Sequence, residues 1–165
     1  AQCPVGRWSY DAPYAPGTDD DSCSDGSKDD FFTADTNTTA YAVMALEHAE
    51  RDAYGSNPFP FFASARDATH GGWEYAPGFG TDANSTALAI QAYVAAGRAI
   101  PSGGLAALRA LQADVGCGAW AYNYDGETPG APDVGATIGA SPAVLRVTFP
   151  LLPSGGAARA TDRGC

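Results

Sequence analysis

Three aspartates in matched settings are the first residues with chemistry to offer. They open the strings Asp35-Thr36-Asn37-Thr38-Thr39-Ala40, Asp82-Ala83-Asn84-Ser85-Thr86-Ala87 and Asp133-Val134-Gly135-Ala136-Thr137-Ile138. Carboxylates converging on one mouth of a fold could do acid–base work, with Asp82 and Asp133 as the candidate catalytic pair. The same residues also suit helix N-caps, where a short carboxylate accepts the free N–H groups of the first turn. Recurrence in every unit favours the cap. The phrases Gly6-Arg7-Trp8-Ser9-Tyr10, Gly71-Gly72-Trp73-Glu74-Tyr75 and Gly118-Ala119-Trp120-Ala121-Tyr122 hold all three tryptophans. Trp8, Tyr10, Trp73, Tyr75, Trp120 and Tyr122 are candidate ligand-binding residues, because aromatic faces suit sugars and terpenoids. Wedging between neighbouring helix pairs is the competing role, and the repeat favours it.

The stretch from Asp19 to Asp30 is crowded with carboxylates. Asp21, Asp25, Gly26 and Asp29 fall at positions 1, 5, 6 and 9 of an EF-hand-like loop, while Cys23 and Phe32 break the pattern. Asp19, Asp21, Asp25 and Asp29 are the candidate ligands of a calcium ion, against a solvated loop tied by a disulfide. The four cysteines, Cys3, Cys23, Cys117 and Cys165, lack the paired spacing of a thiolate zinc site. They allow three pairings; Cys3–Cys23 and Cys117–Cys165 is preferred, because each bridge would tie a loose segment to a repeat. His48 and His70 fall near helix ends, where surface capping is the ordinary role. Asn37-Thr38-Thr39 and Asn84-Ser85-Thr86 are glycosylation sequons placed where asparagine serves as a cap.

The elements that position these residues repeat, at 47 residues from Asp35 to Asp82 and 51 from Asp82 to Asp133. Such spacing marks a repeat architecture. A helix is expected from about Asn37, a short one from Asn57-Pro58 through Arg66, and one over Ala87–Gly97 that is apolar on all sides and so enclosed. The helix over residues 104–112 is amphipathic, with Leu105, Leu108 and Leu111 as its stripe. A third enclosed helix over residues 134–146 should kink or split at Pro142. Enclosed and amphipathic helices alternate, as two concentric helix layers would. The expectation is one domain over residues 1–152, with repeats at about 1–54, 55–103 and 104–152, an acidic insertion at 11–33, and a tail at 153–165.

The net charge of −10 over 165 residues would repel a phosphate backbone, which argues against nucleic acid. No apolar run is long enough for a membrane span. Acidity, a single lysine and an even cysteine count point to an oxidising compartment: extracellular, cell-surface or periplasmic.

Gly-x-Trp-x-Tyr, a loop, then Asp-x-Asn-x-Thr-Ala and an alanine-rich helix resembles the terpenoid cyclase and protein prenyltransferase α/α toroid superfamily. The likeness is greatest to secreted bacterial prenyltransferase/squalene oxidase repeat proteins and spans about residues 3–152. It implies an all-α fold, here a partial α/α toroid of three helix pairs with long irregular loops. The superfamily's chemistry does not carry over residue by residue. Gly17-Thr18-Asp19-Asp20-Asp21-Ser22 lacks the register of the cyclase Asp-x-Asp-Asp box. No Asp-Cys pair accompanies His48 or His70 to hold the prenyltransferase zinc, and Gly116-Cys117-Gly118-Ala119-Trp120 lacks the Glu and Gln of a thioester. Three units are too few to close a ring, and an arc leaves apolar helix faces open at its ends. The functional expectation is a non-enzymatic extracytoplasmic binding or assembly module that docks to another subunit or another copy of itself. The alternative is a lyase, hydrolase or cyclase acting on a polysaccharide or terpenoid.

Overall fold

The computed structural model describes residues 2–3, 6–9, 34–50, 54–112 and 118–149. These residues form five helices: α1 (Thr36–His48), α2 (Phe59–Ser64), α3 (Ala83–Ala95), α4 (Gly104–Ala110) and α5 (Val134–Leu145). A two-stranded antiparallel sheet pairs β1 (Tyr124–Asp125) with β2 (Thr128–Pro129). α3 is the centre. It packs against α1 on one side, α5 on the other, and α4.

Local chemistry sets the long helices. Asp35, Asp82 and Asp133 each sit in extended backbone as N-caps of α1, α3 and α5. The alanine-rich runs behind them let the helices approach closely, and Ala40, Ala83, Ala87, Ala89, Ala136 and Ala140 are all fully enclosed. α3 buries ten of its 13 residues, as its all-round apolar character requires.

The expected all-α partial toroid is not what forms. The structure is mixed: helices hold about 45% of the described residues, beside the small sheet. The Trp phrases are extended segments. Each makes one isolated bridge to a residue six to eight positions earlier in the chain (Gln2↔Trp8, Arg66↔Trp73, Gln112↔Trp120) and one to the residue before an aspartate cap (Ser9↔Ala34, Glu74↔Thr81, Ala121↔Pro132). These segments and their turns use chain length that a helical layer would need, so α2 and α4 span only six and seven residues. Arg66, expected inside the short helix, lies instead in a bridge to Trp73. The hairpin turns at Gly126-Glu127, with Gly126 at φ +64°, a left-handed conformation that glycine adopts without penalty. α5 continues through Pro142 without a break. Pro142 falls near its end, so only one helical bond is forfeited before Arg146 caps the helix at φ +55°.

Candidate functional site

The three Trp phrases are held by one repeated clasp. The main-chain N–H groups of Trp8, Trp73 and Trp120 donate to the hydroxyls of Thr39, Thr86 and Thr137 at 2.9, 3.0 and 3.0 Å. The tryptophan carbonyls accept from the N–H groups of Asp35, Asp82 and Asp133 at 3.3, 3.2 and 2.8 Å. Each aspartate Oδ1 then accepts from the residue three on, Thr38, Ser85 or Ala136, at 2.7, 2.7 and 2.6 Å. Asp and Thr four residues apart stand on consecutive turns of one helix, so a single first turn holds both ends of the clasp.

The indoles complete it. Trp73 is fully buried and donates Nε1–H to the Phe62 carbonyl of α2 at 2.7 Å; Trp120 does the same to Leu108 of α4 at 2.9 Å. A Cβ on Gly104 would lie 2.8 Å from the Trp73 ring, so the first residue of α4 must be glycine for that approach. Trp73 therefore presents no face to a ligand. Trp8 is half-buried, edge-on to Tyr54 at 6.3 Å. Tyr10 lies outside the described residues.

Asp35 and Asp82 are buried, and burial pushes their pKa values up against the opposing pull of the cap bonds. Asp133 is exposed. Burial, and then the charge of Asp35, raises the Tyr75 phenol; burial, and then Asp82 and Asp133, raises that of Tyr122. Both phenols stay protonated at neutral pH and offer donors.

The units are joined through these tyrosines. The N–H of Thr36, first residue of α1, donates to Tyr75 O at 3.1 Å, and the Thr36 hydroxyl to Glu74 O at 2.6 Å. Likewise the N–H of Ala83, first residue of α3, donates to Tyr122 O at 2.8 Å. Val134 begins α5 in the same register and meets no such carbonyl among the described residues. Val134 is 77% exposed where Thr36 and Ala83 are 0%, and Ile138 is 65% exposed where Ala40 and Ala87 are 0%. Leu145 extends the bare stripe. A groove of about 210 Å³ lies beside it, lined by Ala119, Pro132, Asp133, Val134, Thr137 and Ile138. A second, of about 300 Å³, crosses α1, α3 and α5 at Asn37, Tyr41, Asn84, Leu88, Ile138 and Phe149. The buried Oδ1 of Asn37 has no hydrogen-bond partner there.

One polar cluster has no forerunner in the sequence reading. Asp67 accepts from Thr69 N–H (2.8 Å), His70 N–H (3.2 Å) and the Thr81 hydroxyl (2.8 Å), and meets His70 Nδ1 at 3.2 Å. Burial opposes its ionisation, but these bonds outweigh it and hold the carboxyl well below the usual range. The His70 ring stacks on Tyr124 at 3.8 Å, tying the hairpin to the loop after α2. The local signal was Asp67-x-Thr69-His70, an Asx turn; Thr81 and Tyr124 arrive from distant sequence. His48 is the exposed last residue of α1.

Asp19, Asp21, Asp25 and Asp29, the calcium candidates, lie outside the described residues, as do Cys23, Cys117 and Cys165. Cys3 is buried and disulfide-bonded. Among the described residues no three His, Cys, Asp or Glu side chains gather to hold a metal, and no helix is long and apolar enough to cross a membrane.

No family model, curated protein or solved structure matches the chain. Within the described residues three clasped units meet at two junctions, and the matching face of α5 is exposed.

Proposed function

We propose that the chain is a non-enzymatic, extracytoplasmic binding or assembly module that docks to another protein subunit or to another copy of itself. The observation that carries this reading is that Val134 and Ile138 are bare in α5 while their counterparts, Thr36 and Ala40 in α1 and Ala83 and Ala87 in α3, are fully buried, with Leu145 extending the exposed stripe. Exposed apolar area of this kind is a docking surface in soluble proteins. Kinship with the terpenoid cyclase and prenyltransferase superfamily stays a proposal resting on the Trp phrase and its Asp-x-Asn-x-Thr sequel. So do the secreted location, the Cys3–Cys23 and Cys117–Cys165 pairing, and calcium in the acidic insertion.

Sedimentation velocity from micromolar to millimolar concentration, alone and with candidate subunits, tests the reading. Association through the α5 face supports it; a monomer that binds nothing at any concentration contradicts it.

One observation favours a second reading, an enzyme acting on a polysaccharide or terpenoid. The half-exposed Tyr122 phenol lies within the field of both Asp82 and Asp133. Replacing both aspartates by asparagine keeps the caps and removes the acids. Turnover of such a polymer or terpenoid that disappears while the fold survives would establish it.

A further inference from the structure

We propose that the groove across the first turns of α1, α3 and α5 holds an extended peptide segment of a partner protein, read through its main chain by Asn37 and Asn84 and carrying a lysine or arginine toward Asp133. This rests on the docking reading and names what is docked. The groove, of about 300 Å³, is lined by the second and sixth residues after each aspartate cap: Asn37 and Tyr41, Asn84 and Leu88, Gly135 and Gly139. The three helix starts therefore lie side by side in register. Ile138 and Phe149 add apolar walls.

Two amides in this groove lack partners. The Asn37 Oδ1 is buried without one. The Asn84 side chain makes no hydrogen bond among the described residues. Its Oδ1 lies against α5, 3.0 Å from where a Cβ on Gly139 would stand. A buried amide oxygen without a partner carries a desolvation cost, which a bound donor removes. Neither asparagine serves the internal bonding: Asp35 and Asp82 are the caps, and Thr39 and Thr86 hold the Trp clasp.

Spacing and charge identify the occupant. Each amide offers a donor and an acceptor side by side, the complement of the N–H and C=O of one residue in an extended chain. Helices packed through alanine lie about 8 Å apart, the low end of the usual range. Same-facing residues of an extended chain recur about every 7 Å. One extended segment therefore meets both asparagines at residues i and i+2. The third unit has Gly135 in place of an asparagine, and its Asp133 is exposed where Asp35 and Asp82 are buried. The Asp133 Oδ1 lies 3.2 Å from where a Gly135 Cβ would stand, so a carboxylate marks the α5 end of the groove. No cation among the described residues pairs with it. A basic side chain suits that end, and the net charge of −10 selects in the same direction.

A combinatorial library of capped hexapeptides, screened against the full chain by fluorescence polarisation, tests this. Selected peptides are expected to share a lysine or arginine at one position. Asn37→Ala and Asn84→Ala should each weaken their binding about tenfold or more, with helical circular dichroism unchanged. N-methylation of the peptide at a paired main-chain nitrogen should do the same, which a contact made by side chains alone would not show. Gly139→Val keeps both asparagines, fills the groove and should abolish binding. Asp133→Asn keeps the cap and should erase the preference for a basic residue. A library that yields no binder, or binders indifferent to the asparagine variants and to N-methylation, overturns the peptide groove. So does binding of cellohexaose in place of peptides, which would give the asparagines to a sugar. The asparagine variants leave the α5 stripe intact, so sedimentation velocity separates the two readings. A chain that associates but binds no peptide keeps the docking reading and loses this one; a chain that does neither loses both.

Discussion

Asp82 shows how one side chain can serve structure while looking like a catalyst. Its carboxylate caps α3, its main-chain N–H holds Trp73 O, and burial raises its pKa. A folded-state pKa above the unfolded value makes the ionised form a cost. That cost is absent below the ordinary carboxylate value of about 4 and is complete once pH has passed the folded value. Asparagine caps equally well without charge. Asp82→Asn is therefore expected to match or exceed the wild type in thermal stability at pH 7, with the gain shrinking toward acid. Asp82→Ala should cost about 1–2 kcal/mol by denaturant unfolding. Asp67 has the opposite sign. Its pKa is depressed, so its contribution is present above the unfolded value and is lost as pH falls through the folded one. The stability gap between wild type and Asp67→Asn should be open at neutral pH and close below about pH 4 in parallel acid melts. The caps and the Trp phrases were legible because their partners are local and recur. Asp67 was not, because Thr81 and Tyr124 reach it only in the folded chain.

At the scale of elements, the enclosed character of α3 was legible from its run of apolar residues around Gln91. Gln91 is fully buried and neither side-chain polar atom has a partner. Its counterpart in α1, nine residues past the cap, is Met44. Gln91→Met keeps the volume and removes the unsatisfied amide, and a gain of about 1–3 kcal/mol in urea unfolding is expected. The all-α expectation failed for a physical reason. Period and composition mark where helices run, but the Trp phrases run in extended form, with Trp73 bridging to Arg66 and Glu74 to Thr81, and Asp82 bridges to Asn123 in the next unit. The Gly126-Glu127 turn did carry a hairpin signal, a glycine at its first position. It is easily passed over beside strands of two residues each. Pro142 does not split α5, because near the end of a helix it forfeits a single bond.

Across the described residues one junction is built twice, and the matching face of α5 is exposed. α1 and α3 each donate a helix-start N–H to the tyrosine carbonyl of the next unit, and among the described residues Val134 of α5 meets no such acceptor. The repeat was readable from spacing; the junction was not, because it is made by main-chain atoms that no residue type announces. The exposed face of α5 shows only in the register of Val134 and Ile138 against their buried counterparts in α1 and α3. The most direct test is amide hydrogen exchange at Thr36, Ala83 and Val134, followed by NMR as protein concentration rises. Thr36 and Ala83 should be protected throughout, while Val134 exchanges quickly in dilute solution and slows as copies associate. A Val134 amide that exchanges equally fast at every concentration while association proceeds, or that is already as protected as Ala83 in the monomer, would contradict the account.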